Sequence, residues 1–98
     1  IDALVFPTTP LPAAPIVGSD ETVDLNGVRV PTFTTFIQNS DPSSNAGIPG
    51  LSIPIALTKA GLPLGLELGG PERSDRRLLA IGLALERLFG RLPAPKLR

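Results

Sequence analysis

The segment Asn45 to Leu57, NAGIPGLSIPIAL, is apolar enough for a buried strand, yet it holds Gly47, Pro49, Gly50 and Pro54. A glycine weakens a strand and a proline removes a ladder hydrogen bond. A run that keeps both inside an apolar stretch restricts the folds open to the chain, because something must stand close to its backbone or end its pairing.

Around this segment the local patterns are clear. Ala3 to Phe6 is a short branched apolar run that predicts a strand ended by Pro7. Pro7, Pro10, Pro12 and Pro15 then hold the backbone extended. A free proline-rich peptide ligand would look similar, but the strand ahead of it favours a stiff connector. Val23 and Leu25 alternate with polar residues, Asn26 and Gly27 supply positive φ angles, and Val28 and Val30 alternate on the way back, which predicts a β-hairpin. Asp20, Glu21 and Asp24 read as its solvated flank, since they lack ligand spacing and the chain has no His to complete a zinc site.

Phe33, Phe36 and the run NSDPSS predict a change of direction rather than a regular element. Leu64, Leu66 and Leu68 alternate with Gly65 and Glu67 and predict a further strand. The helix is expected after Ser74, its N-cap, with Asp75 in the first turn and Gly90 followed by Pro93 as the stop. Leu78, Ile81, Gly82, Leu85, Leu88 and Phe89 share one face, and Gly82 on that face predicts close approach of another backbone. Arg76, Arg77, Arg87 and Arg91, interleaved with Glu72, Asp75 and Glu86, read as a solvated face. The last residues, APKLR, are expected to fray.

Ninety-eight residues allow one compact domain or one piece of a larger one, and 42% hydrophobic against 18% charged residues supplies material for a core. Zero net charge and four Phe as the only aromatics exclude a basic, base-stacking nucleic-acid binder. Without Cys there is no disulfide framework or thiolate chemistry, which is compatible with a cytoplasmic protein. No apolar run approaches the roughly 20 residues that span a bilayer. The absence of Met and the start at Ile1 lead to the expectation of a fragment or a cleaved chain.

Chemistry is sparse. Without His the chain cannot assemble Ser-His-Asp. The run ELGGPERSD lacks the lysine of a phosphate loop, and Lys59 and Lys96 read as solvated. Ser43 and Ser44 fit a turn and Ser52 fits a strand better than any of them fits a nucleophile. Neither a cofactor nor a metal is implied.

The ordered series Asn45, Gly47 with Pro49, Ser52 with Pro54, Gly61 to Gly65, Gly70 with Pro71, Asp75, Leu78 with Leu79, and Glu86 resembles the C-terminal part of the amidase signature hydrolases. DALVFPTTPLPAAP resembles that family's strand ending in Pro-Thr. Glu67 departs from the pattern, where Gln is more usual. Asp41-Pro42 resembles members acting on aryl-acetamide, mandelamide-like or lactam substrates.

The resemblance implies an α/β architecture: residues 1–98 form a C-terminal segment of an amidase domain, with strands, hairpin and final helix from a mixed sheet covered by helices, incomplete as it stands. It implies hydrolysis of carboxamide C–N bonds by a Ser, cis-Ser, Lys triad outside this chain, so no catalytic residue is carried over. DPSSNAG is not that family's glycine- and serine-rich loop, because the flanking glycines are missing. In such an enzyme the glycines of the opening segment let its backbone pass close to active-site loops, and its prolines end pairing at the pocket wall. Asn39, Asp41 and Ser43 are then the candidate substrate-binding residues, with Phe36 or Ile37 as apolar lining. The other reading of Asp41 and Asn45 is that they only satisfy turn backbone. The implied partners are the remainder of the amidase chain and a small-molecule amide, with a homodimer allowed for, and neither nucleic acid nor membrane. The competing class is an independent, non-catalytic protein-interaction module built on the Leu-rich helix and the strand edges.

Overall fold

A computed structural model describes residues 1–95 of the chain. Lys96 and the end of the tail expected to fray lie outside the described residues. The elements run β1 (Leu4–Pro7), β2 (Thr22–Leu25), β3 (Val28–Pro31), α1 (Thr32–Ile37), α2 (Asp41–Ala46), β4 (Gly50–Leu57), β5 (Pro63–Gly69) and α3 (Asp75–Phe89). Two antiparallel sheets result, a three-stranded one in the order β1-β5-β4 and the separate β2-β3 hairpin.

Strand β5 occupies the centre, between β1 and β4, and its leucines alternate with Gly65, Glu67 and Gly69. Leu68 is wholly buried, with Ile53 and Leu78 nearly so, and these three form the core between the sheet and α3. A β-carbon on Gly82 would overlap Leu51 Cδ2 and stand 3.8 Å from Leu68 Cδ1. The predicted close approach at Gly82 is therefore present, although a side chain and not a backbone fills it.

Other features of α3 differ from expectation. Ser74 stands at the N-cap but makes no side-chain cap; its hydroxyl donates to the Pro71 carbonyl at 2.7 Å, while its carbonyl accepts the Leu78 N–H at 2.8 Å. Ser74 thus closes the preceding turn. Leu88 and Phe89, expected on the buried face, are 75% and 46% exposed. The last turn runs beside an open apolar groove of about 700 Å³ between Leu57, Pro63 and Leu92 instead of against the sheet.

The opening segment begins in the last residues of α2 and supplies β4 from Gly50 to Leu57, and its prolines do not end the pairing. The Pro49 carbonyl accepts the Gly70 N–H at 2.9 Å, and pairing with β5 continues through Pro54 opposite Gly65 to Leu57 opposite Pro63. The register shifts between Pro54 and Ala56, a bulge at Ile55. β4 is an edge of this sheet, where a missing N–H costs no ladder bond.

The β2-β3 hairpin turns at Asn26 (φ 54°) and Gly27 (φ 82°), as the two-residue turn requires. The Gly27 N–H reaches Asp24 Oδ1 at 3.1 Å, which gives one of the acidic flank residues a local task. Residues 32–46, read from the sequence as a change of direction, hold two six-residue helices. Their Thr and Phe residues are indifferent helix formers, and six residues are too few to nucleate a helix unaided. Extended Pro31 sets off α1; Asp41 and Pro42 start α2, and Gly47 closes it at φ 66°.

Candidate functional site

Alternation along β5 puts Leu66 and Leu68 toward α3 and Gly65, Glu67 and Gly69 on the opposite face. Directly paired residues share a face, so Phe6 on β1 and Ser52 on β4 flank Glu67, while Leu4 and Gly50 flank Gly69. Three glycines open this second face, and a polar side chain lies over each. Thr8 and Ser52 meet over Gly65, Oγ1 to Oγ at 2.5 Å, joining the two outer strands across the central one. Glu67 Oε1 lies 3.3 Å from where a β-carbon of Gly50 would stand. Ser43 Oγ lies 3.4 Å from the corresponding point on Gly69. Gly50, Gly65 and Gly69 thus seat polar side chains.

Glu67 is 6% exposed, and burial pushes its carboxyl above the ordinary pKa of about 4.5. In the Thr8–Ser52 pair one hydroxyl donates to the other, which leaves one O–H free to donate outward. The face therefore carries a hydroxyl donor over Gly65 and a carboxyl over Gly50.

Two of the three predicted site residues lie against this sheet. Asn39 is half-buried and its Nδ2 donates to the Pro7 carbonyl at 2.8 Å, pinning the joint between α1 and α2 to the end of β1. Ser43, also half-buried, takes its place over Gly69. Asp41 is exposed in the first turn of α2, and its carbonyl accepts from Asn45 Nδ2 at 3.1 Å. That last bond is the backbone-satisfying task read for Asn45. Phe36 and Ile37 are half-buried in α1. Sequence reasoning did not assign Thr8, Ser52 or Glu67 to the site. The usable signal was the alternation in GLELGG, which sets Glu67 among glycines and on the face away from the leucines.

Among the described residues no group of three metal-ligating side chains gathers. The apolar groove beside α3 carries Glu86 and Arg91 but lies at the turn between β4 and β5, and shares only Pro54 with the polar face. The polar face can bind through hydrogen bonds, but among the described residues no basic side chain is bonded to its hydroxyls that would make either a nucleophile.

Comparison with known proteins follows the same lines. A protein-family model described as Amidase matches residues 1–79. Similar proteins include indoleacetamide hydrolases of Rhizobium radiobacter, 56% identical over 92% of this chain and 19% of the relative, and of Agrobacterium vitis, 55% identical over 89% and 18%. A mandelamide hydrolase of Pseudomonas putida is 40% identical over 97% and 18%. A crystal structure described as an amidase matches with a TM-score of 0.83 at 38% identity, over 92% of this chain and 20% of that one. The chain spans about a fifth of the length of these relatives.

Proposed function

We propose, from the premise that this chain belongs to the amidase family, that it is the C-terminal segment of a hydrolase that adds water across a carboxamide C–N bond, giving a carboxylate and ammonia or an amine. The observation that carries this is the similarity to indoleacetamide hydrolases across nine-tenths of the chain. The nucleophile and its Ser, cis-Ser, Lys partners belong to residues outside this segment, which supplies sheet, helix and pocket wall. Arylacetic amides are the substrate class, in keeping with the names of the indoleacetamide and mandelamide hydrolases it resembles.

Asn39, Asp41 and Ser43 form the wall, with Phe36 and Ile37 as apolar lining. Asn39 fixes the helix pair to β1 through the Pro7 carbonyl, so the wall keeps its place as substrate enters. The remainder of the amidase chain is the principal partner. Cytoplasmic location and a homodimer complete the proposal; no helix among the described residues is long and apolar enough to cross a membrane. The interaction-module reading draws on the exposed Leu79, Leu83, Leu88 and Phe89. In the amidase reading that same surface packs against the rest of the enzyme.

The test is an intact mass of the protein from its natural source, with ammonia release from indoleacetamide measured on the same sample. A mass far above 10.2 kDa together with turnover supports the proposal. A mass of 10.2 kDa with neither activity nor a co-purifying chain refutes it.

A further inference from the structure

Glu67 is 6% exposed and, among the described residues, has no partner. The ion pairs there are Arg73 with Glu72 and Arg77 with Asp2, and no side-chain hydrogen bond reaches Glu67. Its neighbours on the same face, Leu4, Phe6, Gly50, Ser52, Gly65 and Gly69, carry no charge. A buried acceptor is normally matched by a donor. No side-chain polar atom among the described residues is both sealed from solvent and unpaired, so the Glu67 oxygens keep an outlet. Alternation along β5 turns Glu67 away from Leu68 and α3, and the outlet therefore opens on the second face of the sheet.

That face also carries apolar groups awaiting cover. Leu4, paired with Gly69, is 55% exposed. Phe6 is half-buried, its ring 3.6 Å from the β-carbon position of Gly69. Apolar side chains on a sheet face are buried by a further layer. The chain spans about a fifth of the length of its relatives, which leaves ample polypeptide for that layer. A covering segment brings its own backbone, whose N–H groups need acceptors once buried. A cationic side chain could also meet a carboxyl, but it would have to leave water beside Leu4 and Phe6 and so incur a second desolvation cost. A backbone N–H carries no net charge and incurs none of that size.

We infer that the second face of the sheet, around Leu4, Phe6 and Glu67, is a docking surface for the rest of the amidase chain, and that a backbone N–H of that chain donates to the Glu67 carboxyl. The inference rests on the amidase reading. Glu67 is a positioning residue in it: an acceptor oxygen fixes where the covering segment lies, and the charge is not required.

The test uses the full-length enzyme and turns on a sign. Without a donor at Glu67, Glu67→Met replaces a buried, unpaired carboxyl by an apolar side chain of similar length, which removes a desolvation cost and raises the melting temperature. With the donor in place, Glu67→Met strands an N–H and lowers the melting temperature by about 2–4 °C, while Glu67→Gln, which keeps an acceptor oxygen, stays within about 1 °C of wild type. Glu67→Ala cannot overpack and supplies a second reading where Glu67→Met does not fold: amide hydrogen exchange, followed by mass spectrometry, becomes faster in a peptide outside residues 1–98. An equal or higher melting temperature in Glu67→Met, a loss in Glu67→Gln as large as in Glu67→Met, or faster exchange confined to residues 1–98 overturns the inference and leaves the amidase reading intact. A natural protein of 10.2 kDa with neither activity nor a co-purifying chain overturns both.

Discussion

Producing residues 1–98 with no other polypeptide tests the surface this structure leaves open. The accessible surface is 7414 Å², whereas a compact monomer of 10.2 kDa exposes about 5,300 Å². The radius of gyration is 14.9 Å, against about 12.6 Å for a compact domain of this length. The excess surface is therefore about 2,100 Å², of which roughly 55–60% is apolar if it resembles ordinary protein surface. Leu4, Val5, Leu79, Leu83 and Leu88 are conspicuous in it.

At about 25 cal/mol per Å², leaving some 1,200 Å² of apolar surface wet forgoes about 30 kcal/mol, an upper figure because unfolded chains already bury part of theirs. A domain of this size has only about 5–15 kcal/mol of net stability to lose. The isolated chain should accordingly show no cooperative urea transition by circular dichroism, bind a hydrophobic dye and self-associate in sedimentation. A monodisperse monomer with a single sigmoidal transition and a slope of about 1 kcal/mol/M would refute this reasoning and favour the interaction module.

Other expectations concern the full-length enzyme. Gly82→Val should lower stability by about 1–3 kcal/mol by pushing Leu51 aside and adding a β-branched residue to α3; an unchanged or higher melting temperature would mean that the contact is loose. Because burial raises the Glu67 pKa, the folded chain holds this proton to higher pH than the unfolded chain. Its contribution is then fully present below about pH 4.5 and is lost as pH rises through the raised folded value. Glu67→Gln should flatten that part of the melting-temperature profile, and parallel profiles for the two proteins would contradict the assignment. Asp41→Ala should raise KM for arylacetic amides about threefold, the order of one modest hydrogen bond; identical kinetics across several amides would remove Asp41 from the pocket.

What could be read from the sequence followed the range of the signal. Asn26-Gly27 and the stripe from Leu78 to Leu85 speak through neighbours in the chain, so the β2-β3 hairpin and α3 were legible. α1 and α2 were not, because a six-residue helix of Thr, Phe and Ser depends on tertiary support and not on propensity. Pro54 looked like a stop because a proline breaks a ladder; only the strand order shows that β4 is an edge able to carry it. The polar face lay furthest from view. Thr8 and Ser52 are 44 residues apart, and their meeting depends on β5 being placed between their strands.

The hydroxyl bridge over Gly65 also proofreads how the sheet is assembled. If β5 slipped by one residue against its neighbours, Leu64 or Leu66 would stand beneath Thr8 and Ser52 and force the hydroxyls apart. The same slip would turn Glu67 into the apolar layer under α3 and bring Leu68 out of it. One residue without a side chain thus works as an alignment key, with a misplaced strand rejected twice, by a collision on one face and a stranded carboxyl on the other.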